Sequence, residues 1–195
     1  MGAVSDLSLV RDVGTVQEIV RTAARRLTGD DGATFVLRDG EFCHYVDENA
    51  IAPLWKGRRF PMSICISGWV MVNKSSVLLP DIYVDPRIPA EAYRSTFVKS
   101  PARVPIRTAS PIGAIGNDWA EHHAAQTYEV KLLQALADST SVALENIAVH
   151  NELEACVSER TAQLKAANVE LEAFSYFLRT TCVPRCARFA AWTAC

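Results

Sequence analysis

Between Trp55 and Trp119 the chain gathers the side chains best able to hold a small molecule. Trp55, Trp69, Tyr83, Tyr93 and Trp119 offer aromatic surface, and Asp81, Asp85 and Arg87 place both signs of charge on one proline-containing loop. Loops carried on a rigid scaffold are where binding groups concentrate. The same residues have a plainer reading: large aromatics are mostly buried for packing, and Asp85-Pro86-Arg87 is ordinary turn chemistry. Cys65 precedes Gly68-Trp69 and is placed to face such a pocket. With its thiolate favoured it would be a redox sensor; otherwise it is a small buried apolar residue. Trp55, Cys65, Trp69, Asp81, Tyr83, Asp85, Arg87, Tyr93 and Trp119 form the candidate ligand-binding set.

Other chemistries lack their parts. Three of the six cysteines, Cys182, Cys186 and Cys195, fall in the last stretch. Cys182 and Cys186 have three residues between them and no His or Cys pair to complete a zinc set, so no metal site is expected. His122 and His123 have no assignable partners, and solvent exposure is their default reading. Neither a Gly-x-Gly-x-x-Gly nor a Gly-Lys-Ser/Thr phosphate loop occurs, so the ATP-binding half of a kinase is missing and no catalytic residue is assigned. No cofactor can be named. Lys plus Arg is 20 and Asp plus Glu 22, for a net charge of −2. Residues 177–195 contribute three Arg and no acid, leaving about −5 on the rest, which gives no footprint for nucleic acid. No apolar run approaches the ~20 residues that span a bilayer, and no basic-then-apolar leader opens the chain. Gly2 follows Met1, but Asp6 breaks the myristoylation pattern. A cytoplasmic protein with reduced thiols and no membrane partner is expected.

The elements that must position these residues follow from periodicity. Residues 6–28 read as an amphipathic helix, with Leu9, Val13, Val16, Ile19, Val20, Ala23 and Leu27 at helical spacing, stopped by Gly29-Asp30-Asp31-Gly32. Residues 33–37 and 41–46 read as strands joined by an Arg38-Asp39-Gly40 turn. Residues 50–55 are a connector with one helical turn. A short strand over 60–64 leads to a helix over 67–73 capped by Ser67, then a brief strand over 77–79. The loop from Asp81 to Pro89 precedes a short helix over 90–97. Residues 103–107 and 111–119 form a strand pair, in which Gly113 and Gly116 permit close packing. Pro101 removes a ladder donor and a buried unpaired Arg103 would be costly, so this stretch is either a sheet edge or degraded.

From about Thr127 a helix runs to Tyr176, ~50 residues or ~75 Å at 1.5 Å per residue. A rod of that length must project or dimerise. Leu153, Val157, Arg160, Leu164, Ala167, Leu171 and Phe174 recur at alternating four- and three-residue steps, Arg160 alone being polar, with Glu, Gln and Lys on the other faces. This is the seam of a two-stranded coiled coil from about residue 150, and a parallel homodimer is expected through Leu153, Val157, Leu164, Ala167, Leu171 and Phe174.

Residues 153–176 (LEACVSERTAQLKAANVELEAFSY) resemble the signalling helix before the phosphoacceptor box of bacterial sensor histidine kinases. That family continues into His-Asp-Leu-Arg-Ala-Pro-Leu-Arg, whereas here no His follows His150. Residues 180–187 admit codons that spell the missing box one base out of frame. A one-base loss between the codons for Tyr176 and Thr180 is therefore expected, leaving 177–195 an out-of-frame, disordered tail; a genuine basic tail is the alternative.

Upstream, the order of elements resembles a GAF domain over about residues 6–150. The segments 65–70 (CISGWV), 81–89 (DIYVDPRIP) and 111–120 (PIGAIGNDWA) are similar to GAF modules that precede kinase cores. The resemblance implies an α+β fold, an antiparallel sheet flanked by helices, with a ligand pocket between sheet and crossing segments. Cys43-His44 resembles the bilin-attaching pair of phytochromes but sits on a strand, and attachment is not expected. Asn73-Lys74 and Phe97 resemble part of a cyclic-nucleotide signature whose following Asp-Glu is absent, so cyclic GMP is not expected either.

The leading expectation is the sensory portion of a two-component kinase, itself not an enzyme, with a response regulator as partner only of the intact parent. A different class is a stand-alone reductase of free methionine sulfoxide using Cys43 and Cys65. A third is a dimerisation module with an empty pocket.

Overall fold

The structure, a computed structural model, describes residues 6, 7, 10–87, 90–124 and 126–181, the side chains of 179–181 apart. In chain order its elements are α1 (Val13–Thr28), β1 (Gly32–Asp39), β2 (Phe42–Ala50), β3 (Arg59–Pro61), a 3-10 turn (Met62–Ile64), α2 (Ile66–Asn73), β4 (Val77–Leu78), a second 3-10 turn (Ala90–Ala92), β5 (Ser100–Ile106), β6 (Gly113–Trp119) and α3 (Thr127–Thr181). The six strands pair antiparallel in the order β3-β2-β1-β6-β5-β4, so the fold is α+β with a long last helix.

Helix α1 begins at Val13, later than its periodicity predicts. Asp12 is the reason: its backbone is extended and its carboxylate accepts from Thr15 N at 2.8 Å and Thr15 Oγ1 at 2.7 Å, fixing the start there. Leu9 lies outside the described residues. Val16, Val20, Ala23 and Ala24 are buried, while Leu27 is exposed. Gly29 ends the helix where expected, its N–H donating to Arg25 O at 2.9 Å.

The hairpin turn falls one residue later than predicted. Asp39 pairs with Phe42, so the loop is Gly40-Glu41, with Gly40 at φ 59°. Strand β2 also runs on to Ala50, because Gly32 pairs with Ala50 and Ile51 N donates to Asp31 O at 2.9 Å. Residues 51–55 consequently hold no helical turn.

Alternation gives the sheet two different faces. One carries Ala33, Phe35, Val104, Ile106 and Ile115 against Val16 and Val20 of α1 and Leu133, Leu136 and Ile147 of α3. The other carries Val36, Cys43, Tyr45 and Ala114 against Ile66, Val70 and Met71 of α2 and Ile82 and Tyr93 of the crossing loop. A bulge in β2 beside Phe35 and Val36 shifts the register, so Phe35 faces Asp47 and Thr34 faces Glu48. Asp47 is thereby turned toward α1, where Arg21 Nη1 reaches it at 3.3 Å.

Strand β5 corrects the expectation of an edge or a degraded copy. It is an interior strand, and Arg103 is completely buried and paired with Asp118. Leu79 N donates to Pro101 O at 3.0 Å, so Pro101, Arg103 and Pro105 turn their backbone polar groups toward β4. The two prolines bracket the stretch, and β4 is only two residues long, so neither missing N–H breaks a ladder bond.

The predicted helix over 90–97 is reduced to the 3-10 turn Ala90–Ala92. Thr96 Oγ1 donates to Tyr93 O at 2.7 Å, a local bond that competes with helix continuation. Ile88 and Pro89 of the preceding loop lie outside the described residues.

Helix α3 starts at Thr127 as expected and continues to Thr181, beyond Tyr176. The rest of the stretch read as an aberrant tail, residues 182–195, lies outside the described residues. Two units divide the chain between Ile147 and Ala148. In the second, every described side chain from Asn151 to Leu178 is exposed. Among the described residues no helix is long and apolar enough to cross a membrane.

Candidate functional site

The α2-facing side of the sheet is where unlike chemistries converge. Its floor is a cross-strand row, Thr34 on β1, Gly116 on β6 and Arg103 on β5. A methyl group on Gly116 would come within 2.5 Å of both Arg103 Cζ and Thr34 Oγ1, so only glycine lets the guanidinium lie on the strand. Arg103 Nη2 donates to Asp118 Oδ1 at 2.7 Å, and Nη1 donates to the carbonyls of Ala102 and Asn117 at 2.9 and 3.0 Å. Burial works against both charges, yet the Asp118 carboxylate holds the Arg103 pKa above its ordinary value, so the guanidinium is cationic. Arg103 Nε, Asp118 Oδ2 and Thr34 Oγ1 remain buried without a hydrogen-bond partner among the described residues. A donor, an acceptor and a hydroxyl on one face, all unpaired, are what a small polar guest or ordered water would satisfy.

The wall above is set by Glu48, which the β2 bulge puts on this side. Its carboxylate accepts from the backbone N–H groups of Leu54, Trp55 and Lys56 at 2.9, 2.8 and 2.8 Å. That clamp holds Trp55 edge-on to Tyr45 (5.3 Å between centroids) and to Tyr93 (5.1 Å). Tyr45 also meets Phe60 at 5.6 Å, and its hydroxyl lies 3.3 Å from Ser67 Oγ. Burial pushes the Tyr45 and Tyr93 hydroxyls up, Tyr45 well above the usual phenol range, so both are neutral donors.

Cys65, not Ser67, caps α2. Its Sγ accepts from Gly68 N at 3.2 Å, while Ser67 is fully buried against Tyr45. Gly68 is required because a Cβ there would fall 2.1 Å from Met62 O. Cys43, across on β2, is fully buried in the same cluster as Cys65.

The nine residues of the candidate set are divided by the fold. Trp55, Cys65 and Tyr93 are buried together in the α2-face cluster, and Trp69 packs on its margin. Arg87 lies over the Trp69 ring, 4.7 Å from its centroid, gripped by Asp85 at 2.8 and 2.6 Å. Tyr83 is more exposed; its hydroxyl donates to Val98 O at 3.3 Å, and Asp81 Oδ1 accepts from Tyr83 N at 2.8 Å. Trp119 alternates to the opposite side of β6 from Gly116 and Asp118 and stacks on His123 at 4.3 Å. His123 is therefore not the free solvent-facing ring expected: Glu129 also accepts from it, at 3.2 Å. His122 is largely exposed.

Sequence reasoning did not single out Thr34, Tyr45, Arg103 and Asp118 as site residues. One available signal was Arg103 itself, a charge inside an otherwise apolar strand, matched to a glycine and an aspartate on the partner strand.

Comparison with known proteins agrees with this architecture. A family model described as "GAF domain" matches residues 12–144. The GAF-B domain of DevS from Mycobacterium smegmatis superposes with a TM-score of 0.61 at 17% identity, over 73% of this chain and 99% of that one. The GAF domain of a phosphoenolpyruvate-protein phosphotransferase from Coxiella burnetii gives 0.67 at 12% identity, over 77% and 92%. A free methionine-R-sulfoxide reductase from Neisseria meningitidis, in complex with its substrate, gives 0.64 at 19% identity, over 76% and 87%. At such identities these structures speak for the fold alone. No curated protein sequence matches. The family match spans more than half the chain, and the chain belongs to the GAF domain family.

Proposed function

We propose that this chain is the sensory portion of a cytoplasmic two-component histidine kinase, and that its GAF domain takes a small polar ligand and its last helix relays occupancy through a parallel homodimer. The observation that carries this reading is the apolar stripe on α3. Leu153, Val157, Leu164, Leu171 and Phe174 are 57–72% exposed, on one seam of a helix that elsewhere presents charge. A stripe with that spacing is satisfied by a second copy of itself. The same helix contributes Leu133, Leu136 and Ile147 to the domain core, so one continuous element joins core to seam. A ligand shifts this element only to the extent that it binds one helix arrangement better than the other.

The ligand would bridge Arg103 Nε, Asp118 Oδ2 and Thr34 Oγ1 beneath the Trp55–Tyr93 wall. The resemblance of residues 153–176 to a kinase signalling helix supports the parentage, and the intact parent would carry the phosphoacceptor His, the ATP-binding domain and the response-regulator contact. This chain itself is proposed not to be an enzyme.

Sedimentation velocity tests the relay. The full chain is expected to be a dimer, and Leu164→Glu with Leu171→Glu is expected to yield a folded monomer. A wild-type monomer at high micromolar concentration ends the reading. The DNA across the codons for Tyr176 to Cys195 tests the parentage, because a shifted frame that never spells the His box removes it.

The burial of Cys43 and Cys65 in one cluster favours a second reading, a thiol-dependent reductase of free methionine sulfoxide. Turnover lost in Cys43→Ser and Cys65→Ser variants would support it, and no turnover in the parent chain would end it.

A further inference from the structure

The polar site on the α2 face is closed. Thr34 is 1% exposed and Arg103 not at all, so a guest reaches them only if a cover moves. Helix α2 is poorly suited to moving, because Gly68 lies too close to the Met62 backbone to admit even a methyl group. The segment between β2 and β3 is different. Residues 51–58 form neither helix nor strand, and all but Leu54 and Trp55 are exposed. Those two point inward. Leu54 Cδ1 lies 3.4 Å from where a Cβ on Gly32 would stand. Gly32 pairs with Asp118 and shares a face of β1 with Thr34, so Leu54 covers the end of the polar floor. Trp55 closes the wall against Tyr45 and Tyr93.

Both ends of the segment are anchored to the sheet. Ile51 N donates to Asp31 O at 2.9 Å. At the far end Gly57 N donates to Tyr45 O at 2.7 Å, and Tyr45 N donates to Arg58 O at 2.9 Å. Gly57 has φ 80°, a conformation that glycine adopts without strain. Between the anchors, consecutive backbone N–H groups converge on one carboxylate. Leu54 N donates to Glu48 Oε1, and Trp55 N and Lys56 N donate to Glu48 Oε2. Lys56 Nζ adds an ion pair to Asp47 Oδ1 at 2.6 Å, from an exposed side chain of the kind whose ion pairs contribute little. Glu48 also stands in the cross-strand row of Thr34, Gly116 and Arg103. One carboxylate thus belongs to the floor and holds the cover.

We propose that residues 52–56 are a strap that gates the Thr34–Arg103–Asp118 site, and that Glu48 is its latch. Hydrogen bonds to an ionised acceptor are the strong kind, and this acceptor uses both oxygens. Opening exchanges these bonds for bonds to water and breaks no strand pairing. Leu54 swings off Gly32, Trp55 leaves Tyr45 and Tyr93, and the released Glu48 carboxylate faces the uncovered floor as an acceptor. Such an opening is local and requires less free energy than unfolding the sheet. The inference rests on the reading of this polar site as the ligand site and adds how a guest enters it.

Native-state hydrogen exchange of the full chain tests the gate. The amides of Leu54, Trp55 and Lys56 are expected to exchange through an opening that low urea does not accelerate, whereas amides of β1 and β6 exchange by unfolding and respond to urea. Thr34→Cys puts a thiol on the floor for iodoacetamide to label, and trypsin cutting after Arg26 and Arg38 isolates it in peptide 27–38. Its labelling rate is expected to follow the strap, staying constant in low urea. Glu48→Gln offers one acceptor oxygen where the carboxylate offered two. In the Thr34→Cys background it is expected to speed labelling about tenfold or more, as the loss of a charge-assisted hydrogen bond implies. Strap amides whose exchange rises with urea in step with β1 and β6 would overturn the proposal. So would labelling that Glu48→Gln leaves unchanged. The wild-type exchange decides even if a variant does not fold. A monomer in sedimentation ends the relay without moving either readout, so the gate and the sensory reading fail separately.

Discussion

Arg103 and Asp118 are both fully buried, and each is tolerated because of the other. Removing one partner leaves an uncompensated charge in the core, which costs roughly 3–5 kcal/mol, whereas replacing both by apolar groups of similar volume is often close to neutral. Arg103→Met is therefore expected to lower unfolding free energy by about that much, and Arg103→Met with Asp118→Leu to recover most of it. Urea denaturation of the four chains of the cycle reads the coupling; a single-variant loss under about 1 kcal/mol would show that the pair does not hold this face of the sheet. Asp30 supplies a pH signature. Burial, then the nearby Asp118 charge, raises its pKa to about 8 from 3.8, and neither carboxylate oxygen has a hydrogen-bond partner among the described residues. The folded state thus prefers the protonated acid. The contribution to stability is full below the unfolded value near 4 and is lost as pH rises toward 8, by at most ~1.4 kcal/mol per pH unit. Asp30→Asn is expected to flatten the fall of melting temperature between pH 5 and pH 7. An identical slope in the variant would place the titration elsewhere.

Local chemistry decides where elements begin, and here the sequence was only partly legible. Helix α2 starts where Cys65 accepts from Gly68 N, a cap outside the usual Ser, Thr, Asp and Asn set, so Ser67 drew attention instead. Helix α1 starts at a conventional cap, Asp12, which was masked by apolar residues continuing the same period toward residue 6. The strands flanking Gly40 and the β5–β6 pair were readable as short, largely apolar runs bounded by Gly and Pro turn residues. The Arg103–Asp118 pair was not, since it depends on a register that no local pattern encodes. Glu48 is the clearest case: the bulge beside Val36 turns it onto the α2 face, and no one-dimensional signal announces a bulge. The two caps also separate two kinds of damage. Asp12→Ala removes one capping bond and is expected to cost about 1 kcal/mol. Gly68→Ala forces a Cβ to 2.1 Å from Met62 O, a backbone atom that cannot rotate away, and so must displace α2 from the Met62 turn. Its cost should exceed that of Asp12→Ala severalfold in thermal melts, and equal costs would mean that α2 shifts freely.

Across the whole chain, one helix serves two environments. Up to Ile147 it places Leu133, Leu136, Ala137, Ala143 and Ile147 in the domain core, and from Leu153 its seam residues stand exposed. Arg160 interrupts that seam, and its guanidinium donates to Gln163 Oε1 at 3.1 Å on its own helix. In a coiled coil a single polar residue at a seam position lowers stability while fixing register and strand number. On the dimeric reading, two Arg160 side chains face each other across the interface and repel, held apart only by reaching outward along their stems. Arg160→Leu completes the apolar series from Leu153 to Phe174. It is expected to tighten the dimer about tenfold or more, near 1.4 kcal/mol, with no change in the near-ultraviolet spectrum of the aromatic core residues. Sedimentation equilibrium of the two chains at matched ionic strength measures this directly, and because the repulsion is screened by salt, the gap should narrow as salt is raised. An unchanged dissociation constant would put Arg160 outside the interface and shift the seam to another face of the helix.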